Sequence, residues 1–265
     1  MKPPEIKLFF SCTSQKYTSD ENVVPAHSLT FIYEGNFEIT DASGTLLLES
    51  GSLFFTAKND IFRFTKLASK DRPYKSVSVI FSEQFLKEYF EKNEPSFSGI
   101  EVSKSFVLNK HTLTDNLFSS LKPYVDMEEN LPEYLCDLKR MEALGILRTF
   151  YPGIDRHLLN FEDPGKIDLE AFMKKNYIFN LPLQKFAYLT GRSISTFKRD
   201  FFKIFEITPQ RWLTKKRLEH AHFLIDKQQL KPSEAFINSG FENLSHFSRA
   251  FKAEFGYSPK TLLNV

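Results

Sequence analysis

The sequence predicts a two-domain α+β protein: an N-terminal antiparallel β-barrel carrying a helical hairpin, then an all-α domain of two helix-turn-helix units joined by a long helix. Three observations predict it. Short apolar runs broken by glycine turns fill the stretch from Ile6 to Phe81, two sets of leucines at helical spacing follow, and a phenylalanine pattern recurs twice near the end. At 265 residues the chain has room for two cores, and 42% apolar content with a mean hydropathy of −0.31 is ordinary for a water-soluble fold.

From Ile6 to Phe81 the runs Leu29 to Tyr33, Phe37 to Thr40, Thr45 to Leu48, Leu53 to Thr56 and Val77 to Phe81 read as strands. Glu34-Gly35-Asn36, Ala42-Ser43-Gly44 and Ser50-Gly51 punctuate them as turns. Strands this short and regular suggest a small barrel or jelly roll. Phe31, Tyr33, Phe54, Phe62 and Phe64 are the candidate lining for a small-molecule effector, and are equally what a dry core needs. Arg63 and Lys66 would meet an anionic ligand there, although charges alternating along a strand are usually solvated. The region offers one imidazole, His27, where a metal-dependent enzyme of this shape needs several. No metal, no cofactor and no catalytic residue are expected.

A helix is expected from Ser82 to Lys92, with Phe85, Leu86, Tyr89 and Phe90 on one side. A loop follows between Asn93 and Gly99, then a short strand at Phe106 to Leu108. Leu113, Leu117, Leu121 and Tyr124 mark one further helix. Leu135, Leu138, Met141, Glu142 and Leu147 mark the next, so the pair forms a hairpin. Residues 1–150 thus make the first domain, with strands over about 6–81 and helices over about 82–150. Residues 151–166, with Pro152-Gly153 and Glu162-Asp163-Pro164-Gly165, read as a linker, and 167–265 as the second domain.

In that domain Phe197, Arg199, Phe201, Phe205 and Pro209 follow Gly191. Phe247, Arg249, Phe251, Phe255 and Pro259 follow Gly240. The five later pairs share a single offset and the two glycines are one position closer, so the second copy has one extra residue in its turn. Each copy is a short helix, a tight turn and a second helix whose phenylalanines, at i, i+4 and i+8, line one buried face. Ser195, Lys198, Arg199 and Phe202 then point elsewhere in copy one, as do Leu244, Ser245, Ser248, Arg249 and Lys252 in copy two. Thr208-Pro209 and Ser258-Pro259 restart a helix, with a hydroxyl at N-cap and proline at N1. A helix exposing arginine and small polar groups fits the major groove, where Arg grips guanine.

Charge agrees. From Lys174 onward there are 16 basic against 7 acidic residues, or +9, which leaves 19 against 26, or −7, for the rest. A basic third favours a polyanion such as a phosphate backbone.

The region resembles the tandem helix-turn-helix domain of the AraC/XylS transcription regulators. The pattern is Phe186-Ala187, Gly191, Ser193, Phe197, Arg199, Phe201, Thr208-Pro209, Trp212-Leu213, Arg217-Leu218 and Ala221. It continues with Gly240-Phe241, Phe247 to Arg249, Phe251-Lys252, Gly256 and Ser258-Pro259. The match spans about 85 residues in order and spacing. Phe236 stands where the family usually has alanine, and Leu262-Leu263 replaces an aromatic and an arginine. The N-terminal pattern is similar to the cupin-like arm of many members.

The resemblance implies two reading helices in successive major grooves of double-stranded DNA. The DNA-contacting set is Arg192, Ser195, Thr196, Lys198, Arg199, Leu244, Ser245, His246, Ser248, Arg249 and Lys252. Arg217 matches a family position at which a structural role is expected. The resemblance also implies a homodimer through the hairpin, with Leu113, Leu117, Leu121, Leu135 and Leu138 as seam, and RNA polymerase as a candidate partner. The same leucines would equally serve an intramolecular core.

No run approaches the ~18 to 20 apolar residues of a membrane span, and Met1 to Pro4 adjoin no leader-like segment. Cys12 and Cys136 lack CxxC spacing and read as free thiols in a reducing cytoplasm. Two rivals remain beside the sequence-specific regulator: a nonspecific architectural DNA binder, and a cupin-type enzyme with a DNA-binding tail.

Overall fold

The computed structural model describes residues 5–19, 22–42, 44–69, 71–97, 105–127 and 131–264. Residues 1–4, Ser43 of one expected turn, and residues 98 and 99 of the expected loop lie outside that set. The chain divides into two compact units, one ending at Phe161 and one starting at Glu162.

Among the described residues the first unit pairs ten strands, all antiparallel. They are β1 (Leu8–Thr13), β2 (Tyr17–Thr18), β3 (Asn22–Val23), β4 (His27–Glu34), β5 (Asn36–Asp41), β6 (Gly44–Leu48), β7 (Leu53–Thr56), β8 (Ile61–Leu67), β9 (Tyr74–Phe81) and β10 (Phe106–Leu108). One sheet runs β1-β9-β4-β7-β10 and the other β2-β8-β5-β6, with β3 also on β8. The expected barrel is therefore an open pair of sheets.

Alternation along the strands sends successive side chains to opposite faces and so builds two cores. Leu29, Phe31 and Tyr33 face α2 (Thr112–Met127) and α3 (Glu133–Phe150), joining Phe55, Val77, Val79, Phe118, Leu121, Leu144 and Leu147. Ile32, Phe54 and Tyr74 face the second sheet and meet Ile39, Leu48, Phe37 and Phe62. The five residues expected to line one effector cavity are thereby split. Phe31 stacks on Phe118 at 4.9 Å and the Tyr33 hydroxyl donates to the Phe118 carbonyl at 2.5 Å, both on the helix side. Phe54, Phe62 and Phe64 stay between or beside the sheets, Phe64 against Phe37.

Lys66 is not solvated as expected. Its ammonium donates to Ser11 Oγ at 2.7 Å and lies 5.5 to 5.8 Å from the rings of Phe9, Tyr17, Phe64 and Tyr74. Burial among those rings lowers its pKa.

α1 (Glu83–Phe90) starts at Ser82, whose hydroxyl accepts from Phe85 N, and buries Leu86. In α2 and α3 the proposed seam also splits, because the helices lie on the sheet: Leu117 and Leu121 are fully buried, while Leu113 and Leu138 are exposed. Residues 151–161 are not a linker. A 3-10 turn (Pro152–Ile154) and α4 (Asp155–Leu158) bury Ile154 and Leu158 in the core under the sheet.

His27 begins β4 and is 4% exposed. Its Nδ1 accepts from Lys58 N at 3.1 Å, which puts the proton on Nε2. Burial, with smaller contributions from His157 and Lys58, lowers its pKa to about 4 from an ordinary 6.5. The unfolded chain therefore takes up a proton first as pH falls. Stability from this group is whole above pH 6.5 and is lost between 6.5 and about 4, by about 3 kcal/mol in total. Urea midpoints at pH 7 and 4.5 should fall steeply for wild type and less for His27→Gln. Equal falls would assign the acid sensitivity to other groups.

The second unit is helical: α5 (Leu169–Asn176), α6 (Leu183–Leu189), α7 (Ile194–Phe205), α8 (Pro209–Asp226), α9 (Pro232–Asn238), α10 (Leu244–Phe255) and a closing 3-10 segment (Pro259–Asn264). Phe236, larger than the alanine expected there, is accommodated against Phe247 at 6.3 Å, and Leu262 and Leu263 pack on the same core. No helix is long and apolar enough to cross a membrane among the described residues.

Candidate nucleic-acid interface

The two helix-turn-helix copies keep the register of the sequence repeat. α6 begins at Leu183 and α9 at Pro232, whereas α7 begins at Ile194 and α10 at Leu244, so the extra residue falls between the helices of the second copy, as expected. Ser193 caps α7 by accepting from Thr196 N at 3.3 Å, and Asn243 caps α10 by accepting from His246 N at 2.9 Å. Glu206 and Gly256 end the two helices in the left-handed region. Each second helix is thus a 12-residue segment capped at both ends. Its buried side is Phe197 and Phe201 in copy one, and Phe247 and Phe251 in copy two.

The opposite sides carry the expected groups. Ser195, Lys198 and Arg199 are exposed on α7; Leu244, Ser245, His246, Arg249 and Lys252 are exposed on α10; Thr196 and Ser248 are half-buried. Ser195 and Arg199 recur as Ser245 and Arg249, so both copies present one hydroxyl and one guanidinium at i and i+4.

Arg192 is a correction. Only 7% of its side chain is exposed. The guanidinium donates to Asp200 Oδ2 at 3.2 Å, to Ile167 O at 3.0 Å and to Thr190 O at 2.6 Å, so it braces the turn instead of reaching outward. Asp200, a residue the pattern did not single out, organises this corner. It also meets Lys166 at 3.5 Å and Arg199 Nε at 3.6 Å. The Arg192 hydrogen bond holds its carboxyl below the ordinary range. Its counterpart in copy two is Ala250, which offers Arg249 no carboxylate.

Arg217 takes the expected structural role. It is buried in α8 and donates to Tyr177 O at 2.8 Å, Phe179 O at 2.7 Å and Asn180 Oδ1 at 3.1 Å, tying the connecting helix to the segment before α6. His220 and His222 are also structural: the first contacts Tyr177 Oη at 3.2 Å, the second Tyr257 Oη at 2.7 Å.

Known proteins resemble this chain in both units. Residues 186–264 match a model described as a helix-turn-helix domain, and residues 27–149 match the ExsA N-terminal regulatory domain. The chain is 23% identical to the HTH-type transcriptional regulator ExsA of Pseudomonas aeruginosa, covering 96% of this chain and 91% of that one. It is 22% identical to the virulence regulon transcriptional activator VirF of Yersinia enterocolitica, covering 87% and 86%. A crystal structure of apo ToxT K231A from Vibrio cholerae covers 98% of each chain at a TM-score of 0.46 and 14% identity.

Proposed function

We propose, from the premise that this chain belongs to the AraC/XylS family of transcription regulators, that α7 and α10 read two adjacent major-groove segments of double-stranded DNA. The protein is a DNA-binding transcription regulator. The observation that carries the finer reading is the pair of equally capped helices, one exposing Ser195 and Arg199 and the other Ser245 and Arg249 at the same helical positions. An architectural binder would need only a basic surface. On this reading the protein catalyses no reaction and works in the cytoplasm, where the DNA is. Effector control, through a ligand held between the sheets near Phe54, Phe62 and Lys66, is part of the proposal.

Selection from a random duplex pool with the full chain at near-physiological salt tests it. Two short blocks about one helical turn apart are expected. No enriched motif would sink the reading. At the selected site Arg249→Ala should cost about 1–3 kcal/mol and leave nonspecific duplex nearly unaffected. Equal losses on both would make Arg249 a phosphate contact.

For the homodimer, the supporting feature is a stripe on α3. Tyr134, Leu138 and Met141 are exposed by 65%, 61% and 44% at i, i+4 and i+7. Leu138→Glu with Met141→Glu should halve the sedimentation mass at unchanged helicity. An unchanged mass would remove the seam.

A further inference from the structure

The first reading helix carries an aromatic ring that its own unit leaves in solvent. Phe202 is 55% exposed, whereas Phe197 and Phe201 on the same helix are fully buried. At about 100° per residue, Ser195, Lys198, Arg199 and Phe202 share one stripe about 100° wide, with Phe202 between Lys198 and Arg199. The rise from Ser195 puts Phe202 about 10 Å along the axis, within the ~12 Å width of a major groove. Phe202 is thus a large apolar side chain at the C-terminal end of a polar, basic stripe, where an apolar contact would remove it from water.

The second copy places Lys252 at the equivalent position, also exposed. The two helices therefore share serine and arginine and differ at two stripe positions, Lys198 against Ser248 and Phe202 against Lys252. Phenylalanine offers no hydrogen bond to a base. The apolar feature of the major-groove floor is the 5-methyl group of thymine.

We infer that Phe202 is a specificity-determining residue, packing its ring on a thymine methyl in the segment read by α7. The segment read by α10 has no such preference. Two blocks recognised by the same serine and arginine are thereby told apart, which sets the orientation of the protein on its site. This rests on the sequence-specific reading proposed above.

The test uses the full chain and the duplex selected from the pool, with each thymine replaced singly by deoxyuridine, which lacks only the methyl. One replacement in one block should weaken wild type about fourfold, the value of one buried methyl group. Phe202→Ala should bind the thymine and deoxyuridine duplexes equally, and Phe202→Leu should keep part of the preference. Lys252→Phe should create a new thymine preference in the other block. Wild-type indifference to every replacement overturns the inference, as does full discrimination retained by Phe202→Ala. Unchanged DNA affinity in Phe202→Ala also overturns it and assigns the ring to a protein partner. In each of those cases the two-block motif still stands; absence of any motif would remove the parent reading as well.

Discussion

Gly191→Ala and Gly240→Ala are each expected to destabilise the second unit by about 3–5 kcal/mol, combining backbone strain with overpacking. Both glycines sit in the left-handed region, at φ +64° and +87°. Both also let the backbone approach closely. A Cβ on Gly191 would press into the Gly165 carbonyl and Lys166 N, and one on Gly240 into the Ile178 carbonyl. Backbone atoms cannot swing aside as a lysine tip can, so each turn must open and its reading helix must shift. Trp212, the single tryptophan, is buried in this unit and reports its unfolding in urea. Gly256→Ala is the control: φ is +84° but nothing lies within 4 Å of an added Cβ, so only the left-handed penalty of about 1 kcal/mol applies. If all three variants lose the same stability, close approach is not what requires glycine at 191 and 240.

Asp155→Ala is expected to cost the first unit about 3–5 kcal/mol. The residue is fully buried and its carboxylate accepts from Arg148 Nε at 2.9 Å, Arg148 Nη2 at 2.8 Å and Ser96 N at 2.8 Å. Truncation leaves a largely buried guanidinium with the Tyr89 hydroxyl, the Glu94 carbonyl and the rings of Tyr89 and Phe90, and no carboxylate. Thermal unfolding followed by circular dichroism measures the loss. Pairing Asp155→Leu with Arg148→Met should recover much of it, because removing both charges ends the desolvation penalty. A loss below about 1 kcal/mol for Asp155→Ala would mean that the segment behaves as the solvated linker its composition suggests.

The elements read most accurately are those held by their own periodicity. β7 and β10 have the expected bounds, and the second helix of each copy follows from phenylalanines at i, i+4 and i+8, whereas its cap, Ser193 or Asn243, is shown by the structure. β2 and β3 are two residues each and exist because β8 offers them a ladder, so local pattern could not announce them. The linker reading fails for a related reason. Pro152-Gly153 is a breaker by composition, yet Ile154 and Leu158 have a core to enter only once α3 has been laid on the sheet.

The sequence by itself determined the order of the domains, the duplication, and the serine–arginine stripe of each copy, because these depend on neighbours at i+3 and i+4. Tertiary structure decided which charged and apolar groups are free to act. Arg192 and Arg217 are consumed internally while Arg199 and Arg249 are exposed; Leu117 and Leu121 are buried while Leu138 is open. The deciding partners are distant in the chain: Arg217 meets Tyr177, and Asp155 meets Ser96. Periodicity shows which face a side chain takes on its own helix, and only the packed fold shows what that face meets.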